Sequence, residues 1–102
     1  MADARPAAGV GKHRYVPAGQ VAWTVEADGV VVVDLRRGIS RHIRYPHAAV
    51  WDLLCQGVPR ARMTRMVKAV AGSDGRSAAR LIDECLRQWA EAGLLAEGAE
   101  HG

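Results

Sequence analysis

No run of apolar residues in this sequence approaches the roughly eighteen that a membrane-spanning helix needs. The opening stretch "MADARPAAGVGKHRYVPAGQ" lacks the long apolar segment of a secretory signal, so a cytoplasmic location is expected, with Cys55 and Cys85 as reduced thiols. Those cysteines show no CxxC spacing. The histidines His13, His42, His47 and His101 show no ligand spacing of a structural zinc site, so no metal is expected. Catalytic motifs are missing too: there is no DxD and no HExxH, and "GVGK" at residues 9–12 is too short for a Walker loop. With no nucleophile and base at usable spacing, the chain reads as no enzyme and as needing no cofactor.

What is present suits one small globular domain of 102 residues, with 49% hydrophobic and 25% charged residues. The formal charge of +3 and the pI near 9.3 are compatible with nucleic acid or with an acidic peptide, and select neither.

Residues 1–19 are rich in Ala, Gly and Pro and read as a flexible tail with a short anchoring piece at "HRYVP". Extended runs over Val21 to Val25 and Val30 to Asp34 flank "ADG", where Asp28 and Gly29 suit a tight hairpin needing positive φ. A third run, Ile39 to Ile43, follows "LRRG", whose Gly38 fits the left-handed position of a short loop. The result is a three-stranded antiparallel meander.

Beyond Tyr45 the hydrophobic period becomes helical. The first helix begins at Pro46, stops at Gly57 and is apolar almost all round except at Asp52, which makes it central. The second opens near "VPRA" and ends at Gly72, with Met63, Met66, Val67 and Val70 as a core stripe and Arg62, Arg65 and Lys68 outside. The third is capped by Ser73 or Asp74 and buries Ala78, Ile82, Cys85 and Trp89. Its outer face offers Arg80 with Glu84, Asp83 with Arg87, and Arg87 with Glu91 as i, i+4 pairs. Gly93 ends it, with Leu94 folding back on Trp89. Cys55 and Cys85 fall on apolar stripes and read as core fillers.

The valines at 30 to 33 are apolar on both faces, so the second run is central in the sheet. Ile39, Arg41 and Ile43 alternate with Ser40, His42 and Arg44, so the third lies at an edge. Edge strands carry unpaired backbone groups and are usually guarded. Arg36, Arg37, Arg41 and Arg44 are either such guards or the rim of an edge kept open for a visiting acidic strand.

The order "DGVVVVDLRRGISRHIRYPHAAVWDLLCQG", then two helices closing on "LRQWAEAGLL", resembles the PqqD family of peptide-modification chaperones, the RiPP recognition elements, over residues 20–96. The resemblance rests on the "DG" hairpin, the "DLRRG" turn, the edge strand, "AAVWDLL" and "AGLL". It departs from the family where Ile43, Arg44 and Tyr45 lead into the first helix without a capping asparagine, and where "CQGVPRARM" lacks a Ser or Thr cap.

The resemblance implies an α+β fold, a small winged helix-turn-helix in which three strands precede three helices, with residues 97–102 as a second flexible tail. It implies a non-catalytic chaperone for natural product biosynthesis, in which a precursor's leader peptide joins the third strand and packs against the third helix. The partners implied are that leader and a modifying enzyme such as a radical SAM enzyme or a peptidase, with the pathway, whether PQQ, lasso peptide or another, left open. The expected peptide-binding residues are Ile39, Ser40, Arg41, His42, Ile43 and Arg44 of the strand, with Arg80, Glu84 and Arg87 of the helix.

A DNA-binding winged helix is the rival reading, motivated by Arg60, Arg62, Arg65 and Lys68. It is disfavoured because the third helix would have to enter the major groove carrying Asp83, Glu84 and Glu91. A third reading is a homodimer that pairs through the same edge.

Overall fold

The computed structural model describes residues 15–98; the remainder of the expected tails lies outside them. The elements are β1 (Tyr15–Pro17), β2 (Val21–Glu26), β3 (Gly29–Asp34), β4 (Ile39–Arg44), α1 (His47–Cys55), α2 (Arg60–Ala71), α3 (Gly75–Glu91) and β5 (Leu95–Glu97). Strands β2, β3 and β4 form an antiparallel meander in that order, followed by three helices, as the sequence predicts.

The ends differ from the sequence reading. Tyr15 to Pro17, assigned there to the tail, pair antiparallel with β5 in the register Tyr15↔Glu97, Val16↔Ala96 and Pro17↔Leu95. Three-residue strands are too short to show a period, and a pairing between distant parts of a chain leaves no local trace.

The β2–β3 turn is also built differently. Among the described residues only Gly38, Gly57, Gly72 and Gly93 have positive φ, so the turn at Ala27 and Asp28 uses none. Gly29 is required for space instead, because a Cβ there would overlap the carbonyl oxygen of Ile43 on β4.

The helix stops follow the glycines. After α1, Gly57 N–H donates to Leu54 and Val58 N–H to Leu53; after α3, Gly93 donates to Ala90 and Leu94 to Trp89. Both are Schellman arrangements, with the glycine in the left-handed conformation. Asp74 caps α3 by accepting from Ser77 N–H at 2.7 Å. Pro46 and Pro59 precede α1 and α2, neither of which has a side-chain cap.

Helix α1 is central, packing against β3 and β4 on one side and α2 and α3 on the other. It buries Ala48, Ala49, Val50, Trp51, Leu53 and Leu54. Trp51 sits edge-on between Trp23 of β2 and Trp89 of α3, at centroid separations of 5.8 and 5.3 Å. Only part of the expected α2 stripe is core: Met63 and Val67 are buried, while Met66 and Val70 are exposed. That helix packs mainly against α1 and α3, so one narrow line of side chains covers its contact.

Candidate functional site

Register decides what the edge strand offers. Leu35 N–H donates to Gln20 C=O at 2.8 Å, which makes that pair hydrogen-bonded. Counting by twos along the β2–β3 register, the hydrogen-bonded pairs are Ala22↔Val33, Thr24↔Val31 and Glu26↔Gly29, the last closing the turn. The backbone groups of Val30, Val32 and Asp34 therefore point at β4, to their partners Ile43, Arg41 and Ile39. The backbone N–H and C=O groups of Ser40, His42 and Arg44 point outward, along an edge that no strand among the described residues covers.

Side chains alternate in step. Ile39, Arg41 and Ile43 lie on the face of Val30 and Val32, which is the face that α1 covers, and Ile43 is buried there. Ile39 is 50% exposed although it lies on this core face. Ser40, His42 and Arg44 project from the opposite face, where His42 Nε2 is 3.2 Å from Asp28 Oδ1. The six strand residues expected to bind peptide thus divide into three that present backbone and three that present side chains.

The β3–β4 turn fixes the upper end of this edge. Asp34 is buried, and its Oδ1 accepts from the N–H of Arg36 at 3.0 Å and of Arg37 at 3.1 Å. Gly38 N–H donates to Asp34 C=O at 2.8 Å, with Gly38 in the left-handed conformation. Arg37 then reaches from the turn to the carbonyl of Ala92 at 3.2 Å, and Gln20 Nε2 donates to Gly93 C=O at 3.2 Å. The turn is thereby tied to the C-terminal end of α3.

Burial pushes the Asp34 carboxyl up. The N–H groups of Arg37 and Arg36, the Gln20 side chain and the Arg37 charge outweigh that effect and hold it below its ordinary value. A depressed carboxylate pKa contributes stability that is present above the unfolded value, about pH 4, and is lost as pH falls toward the folded one. Urea midpoints measured from pH 7 down to pH 3 should therefore fall, and fall less in Asp34→Asn; the same pH dependence in both proteins would remove Asp34 as a cause.

The three α3 residues expected to bind peptide do not share one flank of the helix. Its buried stripe is Ala78, Ile82, Cys85 and Trp89. On one flank, Asp83 accepts from Arg60 of α2 at 2.6 Å, and Arg87, Leu86 and Tyr15 border a recess of about 420 Å³. Helical spacing puts half-buried Leu81, with Glu84 and Gln88, on the other flank. Glu84 lies on the flank away from α2, Arg87 borders the recess beside Arg60, and Arg80 is on the exposed face between them.

The ion pairs differ accordingly. Arg87 meets Glu91 at 3.6 Å as expected, but also Glu84 at 3.7 Å, and Asp83 pairs with Arg60 instead of Arg87. Leu81, one position before the buried Ile82, marks the flank of the stripe that Glu84 and Gln88 share.

The cysteines are poor nucleophiles. Burial pushes both thiols up to about 12, helped at Cys55 by Asp52 and at Cys85 by Glu84. Among the described residues, no group of three His, Cys, Asp or Glu side chains could hold a metal ion, and no helix is long and apolar enough to cross a membrane.

A three-stranded wing with an open outer strand, facing the last of three helices across a buried first helix, defines a small winged helix-turn-helix of the kind the PqqD resemblance implies. Solved structures share this fold. TbiB1 in complex with the TbiA(beta) leader peptide matches with a TM-score of 0.73 and 23% identity, over 82% of this chain and 98% of that one. A lasso peptide synthetase B1 complexed with the leader peptide matches with a TM-score of 0.74 and 17% identity, over 81% of this chain and 98% of that one. No protein-family model matches the sequence, and no curated protein is detectably similar to it.

Proposed function

We propose that this protein is a non-catalytic leader-peptide-binding chaperone, which captures a ribosomally made precursor and delivers it to a modifying enzyme. The observation that carries the reading is the uncovered row of backbone groups at Ser40, His42 and Arg44, on a fold shared with two proteins solved with leader peptides. A leader adding as a fourth strand would gain its register from main-chain hydrogen bonds, while its inward side chains pack between β4 and α3 above α1. Holding the leader raises the precursor's effective concentration at the enzyme without making any bond. A radical SAM enzyme or a peptidase is the class of recipient proposed.

The rival DNA-binding reading draws on α2, where Arg62, Arg65 and Lys68 have no ion-pair partner among the described residues. Against it, the exposed face of α3 carries Asp83, Glu84 and Glu91, which a phosphate backbone would repel. Calorimetry with the cognate leader should show saturable one-to-one binding. Random duplex DNA at physiological salt should bind no tighter than about 10⁻⁴ to 10⁻⁶ M. Sequence-dependent nanomolar binding to duplex DNA, with no heat from the leader, would reverse the assignment.

A further inference from the structure

We propose, on the strength of the leader-binding reading above, that Arg41 alone of the edge arginines selects the bound strand: it takes an acidic side chain flanked two residues to either side by apolar ones.

The four arginines of the turn and strand are not equivalent. Arg37 is committed to the Ala92 carbonyl and lies 3.8 Å from Asp34. Arg36 belongs to the turn, which Asp34 holds through its backbone N–H. Arg44 projects from the face opposite α1, since its register partner is Gly29 and its parity is that of Ser40 and His42. Arg41 remains. It is opposite Val32 on the core face of the sheet, with Ile39 and Ile43 two residues away on the same face, and it has no ion-pair partner among the described residues. A single unpaired cation between two isoleucines makes an alternating apolar, cationic, apolar surface with the two-residue repeat of a strand.

A strand added at this edge sets its own side chains directly beside those three, because residues opposite one another across a ladder point to the same face. Its inward side chains therefore meet Ile39, Arg41 and Ile43 in turn. The half-exposed Ile39 favours an apolar neighbour, and Arg41, losing water as the strand lands, favours a carboxylate. A basic residue at the central position would bring two like charges together in a partly desolvated groove, so the same arginine rejects as well as selects. Glu84, on the flank of α3 away from α2, is already engaged by Arg87.

The test is a random peptide library displayed on phage, selected on the full-length protein and then counter-screened on Ser40→Pro to keep only peptides that need the edge. Edge-dependent binders should carry Asp or Glu with apolar residues at i−2 and i+2, and selection on Arg41→Glu should replace the acid by Lys or Arg. In one chosen peptide, Asp→Asn should weaken binding by about three- to tenfold to wild type and leave Arg41→Ala unaffected. Edge-dependent binders without an acidic position, or with the same acid on Arg41→Glu, overturn the role of Arg41 and leave the leader-binding reading intact. Binders that are all insensitive to Ser40→Pro, and equally insensitive to N-methylation of the peptide backbone, overturn both.

Discussion

Replacing Trp51 by alanine is expected to lower the unfolding free energy by about 3–5 kcal/mol, the range for deleting a large buried aromatic. The indole is fully buried and lies where the sheet, the first helix and the third helix meet. Its ring is inclined at 76° to Trp23 and 79° to Trp89, an edge-to-face geometry in which each contact adds about 0.5–1.5 kcal/mol beyond the area it buries.

The Trp51 Nε1 has no conventional acceptor within reach among the described residues. Its N–H therefore contributes little, and Trp51→Phe, which keeps an aromatic ring and removes the unsatisfied donor, should cost much less than alanine. A domain of this size has a total stability of about 5–15 kcal/mol, so the alanine variant should unfold at much lower urea while the phenylalanine variant remains testable. Equal and small losses in both would show that the three tryptophans do not hold the layers together. Because α1 is the floor beneath β4, leader affinity should fall with the alanine variant even where it remains folded.

The largest functional effect is expected at the outward positions of the edge. Ser40→Pro and His42→Pro should each weaken leader binding by well over tenfold, about 1.4 kcal/mol or more, with little loss of secondary structure. Both N–H groups point away from β3, so proline removes a donor that the sheet itself does not use, and edge positions of this kind tolerate its fixed φ. Arg41→Pro is the contrast, since its N–H faces Val32 and its loss should disrupt the meander. Ser40→Pro is the cleaner of the two edge variants, because His42 also gives up its contact with Asp28. Removing the charge of Arg44 instead should change affinity slightly, and less still at high salt, as for any exposed charge. Circular dichroism establishes the fold of each variant and calorimetry reads the affinity. Unchanged binding to both proline variants would mean that the edge is merely guarded and that peptide, if bound, lies elsewhere.

The sequence by itself determined the three strands of the meander, the three helices and their order. Alternation by two and by 3.6 is written locally, so the valine run declared a central strand, Ile39 to Ile43 an edge, and the glycines at 57, 72 and 93 the helix stops. The fold class was implied by the family resemblance that this order carries. Tertiary structure decided what depends on register and on neighbours distant in the chain. The pairing of Tyr15–Pro17 with Leu95–Glu97 joins segments with no shared local signal. Gly29 looks like a turn glycine until β4 is placed against it. Asp34, one acid among many in the sequence, becomes the buried anchor of the turn only once the N–H groups of Arg36 and Arg37 fold around it.

The site divides in the same way. That β4 is an edge was legible; that Ser40 and His42 present backbone while Arg41 presents its side chain required the hydrogen-bond parity passed from β2 through β3. On α3, charge alone suggested Arg80, Glu84 and Arg87, but a helix turns 100° per residue, and which flank α2 occupies is decided only when the helices pack. A side chain's chemistry is carried by the sequence, whereas its direction is a relation between elements and exists only after they have packed.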